Sequence, residues 1–406
     1  MPLERTDILI SGGGIAGLTA AAAFARAGLS VVLVDPAPPP KSVGADGSDL
    51  RSTAFLAPAI ALFREAGLWE ALSPHAAPLD TLRVIDTSGW PPTVRDERAF
   101  RAEDVTDGPF GWNLPNWLTR NLLVDRLADF PNVDLRLGTG FAGMLTRERG
   151  AIVRLTDGTR VEARLVVGAD GRTSPVREAA GISVDVTRYG QKALAFEVTH
   201  LHPHGGTSTE LYNEGGAFVL VPLPDHKGGP ASAVVWMERG PRALELAALA
   251  PRALGALATE RSCGILGPLE LASPVRVWPV ITQVARHLTA ERTALVAEAA
   301  HVLPPIGAQG LNTSLHDVAA LARIAASSDD PGSPSALRAY EKARAADVHM
   351  RARVIDLFNR VCRSGTAPLQ ALRLGGLRVV HDVAPLRRAV MQAGLGRADQ
   401  GPVQST

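Results

Sequence analysis

A short apolar run, Asp7 to Ser11, leads into Gly12-Gly13-Gly14-Ile15-Ala16-Gly17 and then an alanine-rich stretch, Leu18 to Arg26. Gly28 closes that stretch as a left-handed cap would, and a second apolar run, Ser30 to Val34, ends at Asp35. No other feature narrows the possible folds so far. A strand, a glycine turn, a helix and a second strand ending in an acid make a dinucleotide-binding unit. Gly12 permits the tight turn, Gly14 lets the backbone approach a pyrophosphate, and Gly17 lets helix and strand pack closely. Ile15 and Ala16 complete the loop at the helix start, and Asp35 can accept from ribose hydroxyls. The motif alone does not separate FAD from NAD.

A second organising stretch runs from Val296 to Asn312. The apolar run Thr293 to Ala297 reads as a buried strand, with Glu298 at its carboxyl end, where open α/β sheets hold their ligands. A loop with Pro304, Pro305, Gly307 and Gly310 then feeds Leu311 to Ala326, whose Leu311, Leu315, Val318, Ala322 and Ala325 recur at helical spacing. A helix that starts at such a loop aims unpaired N–H groups and partial positive charge at what precedes it. An anionic ring or phosphate is favoured there.

Between these two stretches, Asp49-Leu50-Arg51-Ser52-Thr53-Ala54 leads into an expected helix, Pro58 to Ala66. Arg51 either faces an anionic ligand or sits at a solvated helix start. Asn116 to Arg120 opens another helix, Leu118 to Phe130, followed by a strand, Val133 to Leu137. Ile152 to Leu155 and Val161 to Val167 form a hairpin turned by Asp157-Gly158, and the second strand ends in Gly168-Ala169-Asp170-Gly171. Asp170 is an acid at the sheet's carboxyl edge, while Ser174 with Pro175 starts a helix. From Ser183 to about Val284 alternation replaces helical spacing, apart from Ala243 to Thr259, so an antiparallel sheet is inserted as a wall for a substrate pocket. His200, His202 and His204 alternate there, but Pro203 interrupts the strand and no paired acid stands nearby, so a polar strand end is expected and no metal site. Ser335 to Leu395 is helical with a break near Ser364 to Pro368, and it carries Arg351, Arg353, Arg373, Arg378, Arg387 and Arg388 against few acids. These arginines form a solvated face or a surface that meets anionic lipid or a partner.

With 406 residues the chain suits two interleaved domains, and its net charge of +1 gives no footprint for nucleic acid. Cys263 and Cys362 lie too far apart for a metal motif or a disulfide framework, so a reducing compartment is expected. The first residues lack the form of a cleaved signal, and no 18-residue apolar stretch is free of charge or proline. A cytoplasmic location is expected, with peripheral attachment at the inner membrane as its variant.

Gly12 to Gly17 with Asp35, then Gly168 to Gly171, then Glu298 through Asn312, resemble the FAD-dependent aromatic hydroxylases of the para-hydroxybenzoate hydroxylase type. Ala299, Ala300, His301, Pro304, Pro305, Gly307, Gln309, Gly310, Leu311 and Asn312 are similar to a run of their ubiquinone-biosynthesis branch, as are Asp49 to Ala54 and Asn116 to Arg120. The resemblance spans most of the chain. It implies an α/β fold, interleaved with α+β. A Rossmann-like FAD-binding domain would occupy residues 1–80, 111–182 and 285–330, and an inserted antiparallel-sheet substrate domain 81–110 and 183–284. C-terminal helices would occupy 331–406.

The resemblance further implies that Gly12, Gly14, Ile15, Ala16, Gly17 and Asp35 hold the ADP half of FAD, with Arg51 and Arg120 near flavin and pyrophosphate. Asp170 would serve FAD close to the approach of NAD(P)H. Glu298 would bond a ribityl hydroxyl, and Pro304 to Asn312 would cover the isoalloxazine ring, with Leu311 and Asn312 N–H groups at its pyrimidine oxygen. Pro305 and Gly307 would line the flavin–substrate interface. The implied reaction hydroxylates an aromatic ring with NAD(P)H and O₂ through a flavin C4a-hydroperoxide, the substrate being a polyprenylated phenol of ubiquinone biosynthesis. The C-terminal helices would then touch the membrane or a quinone-biosynthesis complex. Where the family reads Gly-Asp, this chain has Ala297-Glu298, one Cβ and one methylene more. That departure motivates a non-catalytic member of such a complex as one rival reading; a hydroxylase of a small soluble phenol is the other.

Overall fold

The computed structural model describes residues 3–395. Its first sheet is built around Glu4–Ser11, with Arg160–Gly168 and Val31–Asp35 as parallel neighbours on either side. Thr293–Leu295 and Val133–Leu137 continue the parallel order outward. The hairpin Phe141–Arg147/Gly150–Leu155 joins antiparallel to Arg160–Gly168, turned where Asp157-Gly158 lies. Helix Ile15–Arg26 is buried along ten of its twelve positions, because it runs between Asn116–Leu127 and Gln309–Ala326. Alanines suit that place, since they let three helices and a sheet approach with little side-chain entropy lost.

The second sheet has nine strands and is almost wholly antiparallel. Its main path runs His301–Val302, Arg276–Ala285, Val184–Thr199, Gly229–Arg239, Gly216–His226, Thr207–Asn213, Thr81–Ser88 and Thr93–Arg101. Alternation gives it two buried faces. Leu194, Phe196, Val198, Phe218, Leu220 and Trp236 pack under helices Gly240–Ala247 and Pro251–Arg261. On the opposite face Ala193, Tyr212, Ala217, Val219 and Met237 meet Ile306 of the proline-rich loop and Cys362 of the C-terminal helices. The fold is the expected Rossmann-like α/β unit with an inserted antiparallel sheet and C-terminal helices.

Several local expectations are corrected. The strand expected over Thr293–Ala297 ends at Leu295, and Ala297–Ala299 is a single 3₁₀ turn. A small antiparallel sheet of Ser52–Leu56, Gly111–Pro115 and Ala77–Leu79 had no counterpart in the sequence reading, being too short for alternation to register. The C-terminal part breaks twice, giving Pro334–Cys362, Ala367–Asp382 and Ala384–Gly394, because Pro385 stops continuation at Val383 as Pro368 does near Thr366. Its arginines are not all on a solvated face. Arg373 is buried, paired with Asp86 and donating to the Cys362 and Thr87 carbonyls.

Candidate active site

The glycine turn separates into two kinds of glycine. Gly12 has φ +114° and lies against the Ala169 backbone, where an added Cβ would clash, and a Cβ on Gly17 would run into the Gly12 carbonyl. Both are glycine for reasons internal to the chain. Gly14 is different: its φ is −75°, open to any residue, and no atom of the chain lies within 4 Å of where its Cβ would stand. A molecule lying along the backbone there, such as a pyrophosphate, would account for the missing side chain. Ile15 and Ala16 turn their side chains into the core, so only their backbone can meet a ligand.

Asp35 accepts from the Gly13 N–H at 2.7 Å and the Ala37 N–H at 2.9 Å. Arg120 donates to the Gly13 and Ala37 carbonyls at 2.6 and 3.0 Å and stands 3.3 Å from the Asp35 carboxylate. Arg120 therefore ties the glycine turn to the end of the second strand. Asp170 sits on the other side of Gly12, where one carboxylate oxygen accepts from Ser11 Oγ and the Val176 N–H, each at 3.1 Å. Its other oxygen is buried with no partner among the described residues, and burial pushes the carboxyl up from its ordinary pKa. A buried acceptor of this kind can take a hydroxyl or amide from outside the chain, as well as a water.

Four residues before Arg120 on the same helix, Asn116 reaches the other end of the site. Its N–H donates to the Arg51 carbonyl at 2.9 Å, and its Nδ2 to Asp49 at 3.0 Å. Asp49 grips Arg51 with two bonds of 2.8 Å. Burial opposes the charge on Asp49, but Arg51 and Asn116 outweigh it and hold the carboxyl below its usual range. Arg51 stands 3.5 Å from Glu298 and over the Trp278 ring, at 5.3 Å from its centroid. Of the two readings left open for Arg51, a solvated helix start is excluded: no helix begins there, and the guanidinium is clamped between two acids. Arg120, Asn116, Arg51 and Glu298 thus form a continuous line from the glycine turn to the proline-rich loop.

Within that loop, Ala297 has φ +57° and Ala308 φ +56°, both in the left-handed region that disfavours a Cβ. Pro305 and Gly307 are exposed, whereas Ile306 between them packs on the antiparallel sheet. Helix Gln309–Ala326 follows directly. Gly310 has no chain atom within 4 Å of a Cβ position, and Leu311 packs on the core. Asn312 accepts from the Leu56 N–H at 2.9 Å and donates to the Ala54 and Ala308 carbonyls, both at 2.7 Å. It stitches the small sheet to the loop.

Ser11, Trp278 and Ile306 are not among the site residues the sequence points to; Asp49 and His301 fall in the resembling runs with no role attached, and the rest of the buried set behind the loop goes unmarked. There His301 Nε2 meets Asp317 at 2.6 Å, Asp317 accepts from Arg344 at 2.9 Å, and Arg344 pairs with Asp347 at 2.8 Å. Arg351 pairs with Asp347 at 2.8 Å and donates to Gln309 at 2.7 Å. The one available signal was Asp317, an acid among the apolar positions of an expected helix.

The model of the FAD binding domain family matches residues 5–353. The chain belongs to that family. It is 34% identical over 400 residues to ubiquinone hydroxylase UbiL of Rhodospirillum rubrum, covering 98% of this chain and 91% of that one. It is 26% identical over 403 residues to 3-demethoxyubiquinol 3-hydroxylase of Escherichia coli, covering 98% and 100%. The structure of p-nitrophenol 4-monooxygenase PnpA from Pseudomonas putida superposes with TM-score 0.78 at 19% identity, over 97% of this chain and 99% of that one. This flavoprotein is an FAD-dependent monooxygenase. The open face of Gly14 and the orphaned oxygen of Asp170 fit FAD.

Proposed function

We propose that the protein hydroxylates the aromatic ring of a polyprenylated phenol in ubiquinone biosynthesis, using NAD(P)H and O₂. The observation that carries this is the line of Gly14, Arg120, Arg51 and Glu298, which meets the antiparallel sheet at Trp278, in a chain 34% identical to a ubiquinone hydroxylase. Gly12, Gly14, Ile15, Ala16, Gly17 and Asp35 would hold the ADP half of FAD, with Arg120 fixing the turn. Arg51 and Glu298 would serve the ribityl and flavin portion. Gly310, Leu311 and Asn312 would present a helix start to the ring edge, where negative charge would be favoured by up to about 2 kcal/mol. Asp170 would accept from FAD where the nicotinamide approaches.

Bound FAD supplies the redox chemistry, taking electrons from NAD(P)H and activating O₂. The chain supplies orientation and dryness. Val219, Val235 and Met237 form a buried apolar cluster with Ile306, which would help keep water from a reacting ring beside it. Pro305 and Gly307 would line the flavin–substrate interface with their backbone. With such a substrate, the C-terminal helices would meet a membrane surface or other proteins of quinone biosynthesis. Deletion of the gene, followed by identification of the accumulated precursor, tests the reading. Accumulation of a ring lacking one hydroxyl is expected, and an unchanged quinone pool without a precursor would overturn it.

A further inference from the structure

Among the described residues, ten of the eighteen exposed large hydrophobic side chains lie between Met350 and Val390. They form stripes. Met350, Val354 and Leu357 recur at helical spacing on Pro334–Cys362, Leu369, Leu372 and Val379 on Ala367–Asp382, and Leu386 and Val390 on Ala384–Gly394. An ordinary surface helix turns its apolar stripe inward and its charges outward. The last two helices depart from this. Arg373 is buried against Asp86, Arg378 pairs with Asp96 at 2.7 Å, Arg387 lies 3.6 Å from Asp104, and Arg95 donates to Gln370 at 3.2 Å. The inner side is bound to the sheet by ions, which leaves the apolar side facing out.

We infer that this outward face rests on an anionic lipid bilayer. From His349 to Leu395 the sequence has eight arginines, two aspartates and no lysine or glutamate; Arg351, Arg360, Arg373, Arg378 and Arg387 are matched by Asp347, Asp356, Asp86, Asp96 and Asp104. Arg353 and Arg388 are exposed beside the stripes with no partner among the described residues, while Asp382 is paired with His381 at 2.8 Å. Aliphatic stripes interleaved with guanidinium groups suit the interface of a bilayer whose headgroups are negative. Among the described residues no helix is long and apolar enough to cross a membrane.

The face also begins beside the site. Gln309 Nε2 donates to the Gly394 carbonyl at 3.3 Å and to the Gly307 carbonyl at 3.0 Å, so the end of the last helix touches the loop that carries Ile306. A phenol whose ring reaches that loop can keep its polyprenyl chain in the lipid. This part rests on the substrate reading above; the surface itself does not.

The test uses the full-length, FAD-loaded protein and sedimentation with vesicles of phosphatidylcholine alone or mixed with phosphatidylglycerol. Binding to the mixed vesicles should exceed binding to the neutral ones at least tenfold and fall with added salt. Leu372→Glu with Val379→Glu should lower it about tenfold while the flavin spectrum stays unchanged, and Leu145→Glu, on a distant exposed residue, should leave it unaltered. Equal binding to both vesicle types, no binding, or an unaffected double variant would overturn the inference. So would a dimer in light scattering that the same double variant dissociates, since a second copy would then be the occupant. Vesicle binding without precursor accumulation in the deletion strain would sink only the substrate reading; accumulation without vesicle binding would sink only the surface.

Discussion

Gly14→Ala separates a glycine kept for a ligand from one kept for the fold, with Gly17→Ala as its partner. At Gly14 the backbone is ordinary, φ −75°, and the new methyl meets no chain atom within 4 Å. Alanine is a poorer helix N-cap than glycine by several tenths to about 1 kcal/mol. Against that, losing a glycine restricts the unfolded chain, worth about 0.4–1 kcal/mol. The stability of the FAD-free protein should therefore stay within about 0.5 kcal/mol of the parent. At Gly17 the methyl falls on the Gly12 carbonyl and lies about 3.3 Å from the Ala169 Cβ. Gly12 cannot retreat, because its N–H is bonded to the Val34 carbonyl at 2.8 Å and it already abuts Ala169. Overpacking of this kind costs about 1–3 kcal/mol or more. FAD affinity should move the other way for Gly14→Ala, weakening at least tenfold, about 1.4 kcal/mol, as the methyl takes the pyrophosphate's place. Thermal unfolding of FAD-free protein and titration by flavin fluorescence give both numbers. If Gly14→Ala destabilises the FAD-free protein as much as Gly17→Ala, or binds FAD as tightly as the parent, the reasoning about this turn is wrong.

Ala297→Gly removes a Cβ from the left-handed region, where it costs about 1–2 kcal/mol, and gives back about 0.4–1 kcal/mol to the unfolded chain. A net gain of several tenths to about 1 kcal/mol is expected in denaturant unfolding, and combining it with Glu298→Asp should tighten FAD in titration. Asp317→Asn strips the partner from His301 and Arg344 and should cost about 3–5 kcal/mol at neutral pH. Burial opposes the Asp317 charge, but His301 and Arg344 outweigh it and hold its carboxyl below the ordinary range. Its contribution is therefore complete above about pH 4, the unfolded value, and is lost as pH falls through the lower folded value. Acid unfolding of the variant should show a shallower slope in that window. Arg373→Met leaves Asp86 with Arg95 alone and should cost about 3 kcal/mol, with limited proteolysis cutting near Thr366 before the rest of the chain.

How much was legible follows from the reach of each signal. Gly12 to Gly17 and the hairpin at Asp157-Gly158 were read in place because their causes lie within a few residues of chain. The runs Ala193 to Val198, Ala217 to Pro222 and Ala231 to Met237 could be read as strands from their own residues, and they are almost continuously apolar because both faces of the sheet are covered. What stayed hidden was whatever depends on contacts between distant segments. Asp49 as the clamp on Arg51 requires Asn116, 67 positions away in sequence. Ile306 reads as a loop residue until the antiparallel sheet is set against it. Arg373 looks like any surface arginine until Asp86, 287 positions earlier, is brought beneath it. The three-strand sheet failed for a different reason: runs of three to five residues cannot show a period.

The same distinction explains how a short loop can hold two alanines in a strained conformation. Ala297 and Ala308 bracket the loop, and each costs on the order of 1–2 kcal/mol where it stands. Such residues persist only where neighbours over-determine them. Arg177 donates to the Ala299 carbonyl at 2.9 Å, Asn312 holds the Ala308 carbonyl, and Ile306 is buried in the sheet. His301, just after the first alanine, and Gln309, just after the second, are both reached from helix Pro334–Cys362, through Arg344 with Asp317 and through Arg351. That helix therefore fixes the two ends of the loop at a set separation. It belongs to the site, and loosening Arg344 or Arg351 should disturb flavin retention although neither stands in the proposed flavin line.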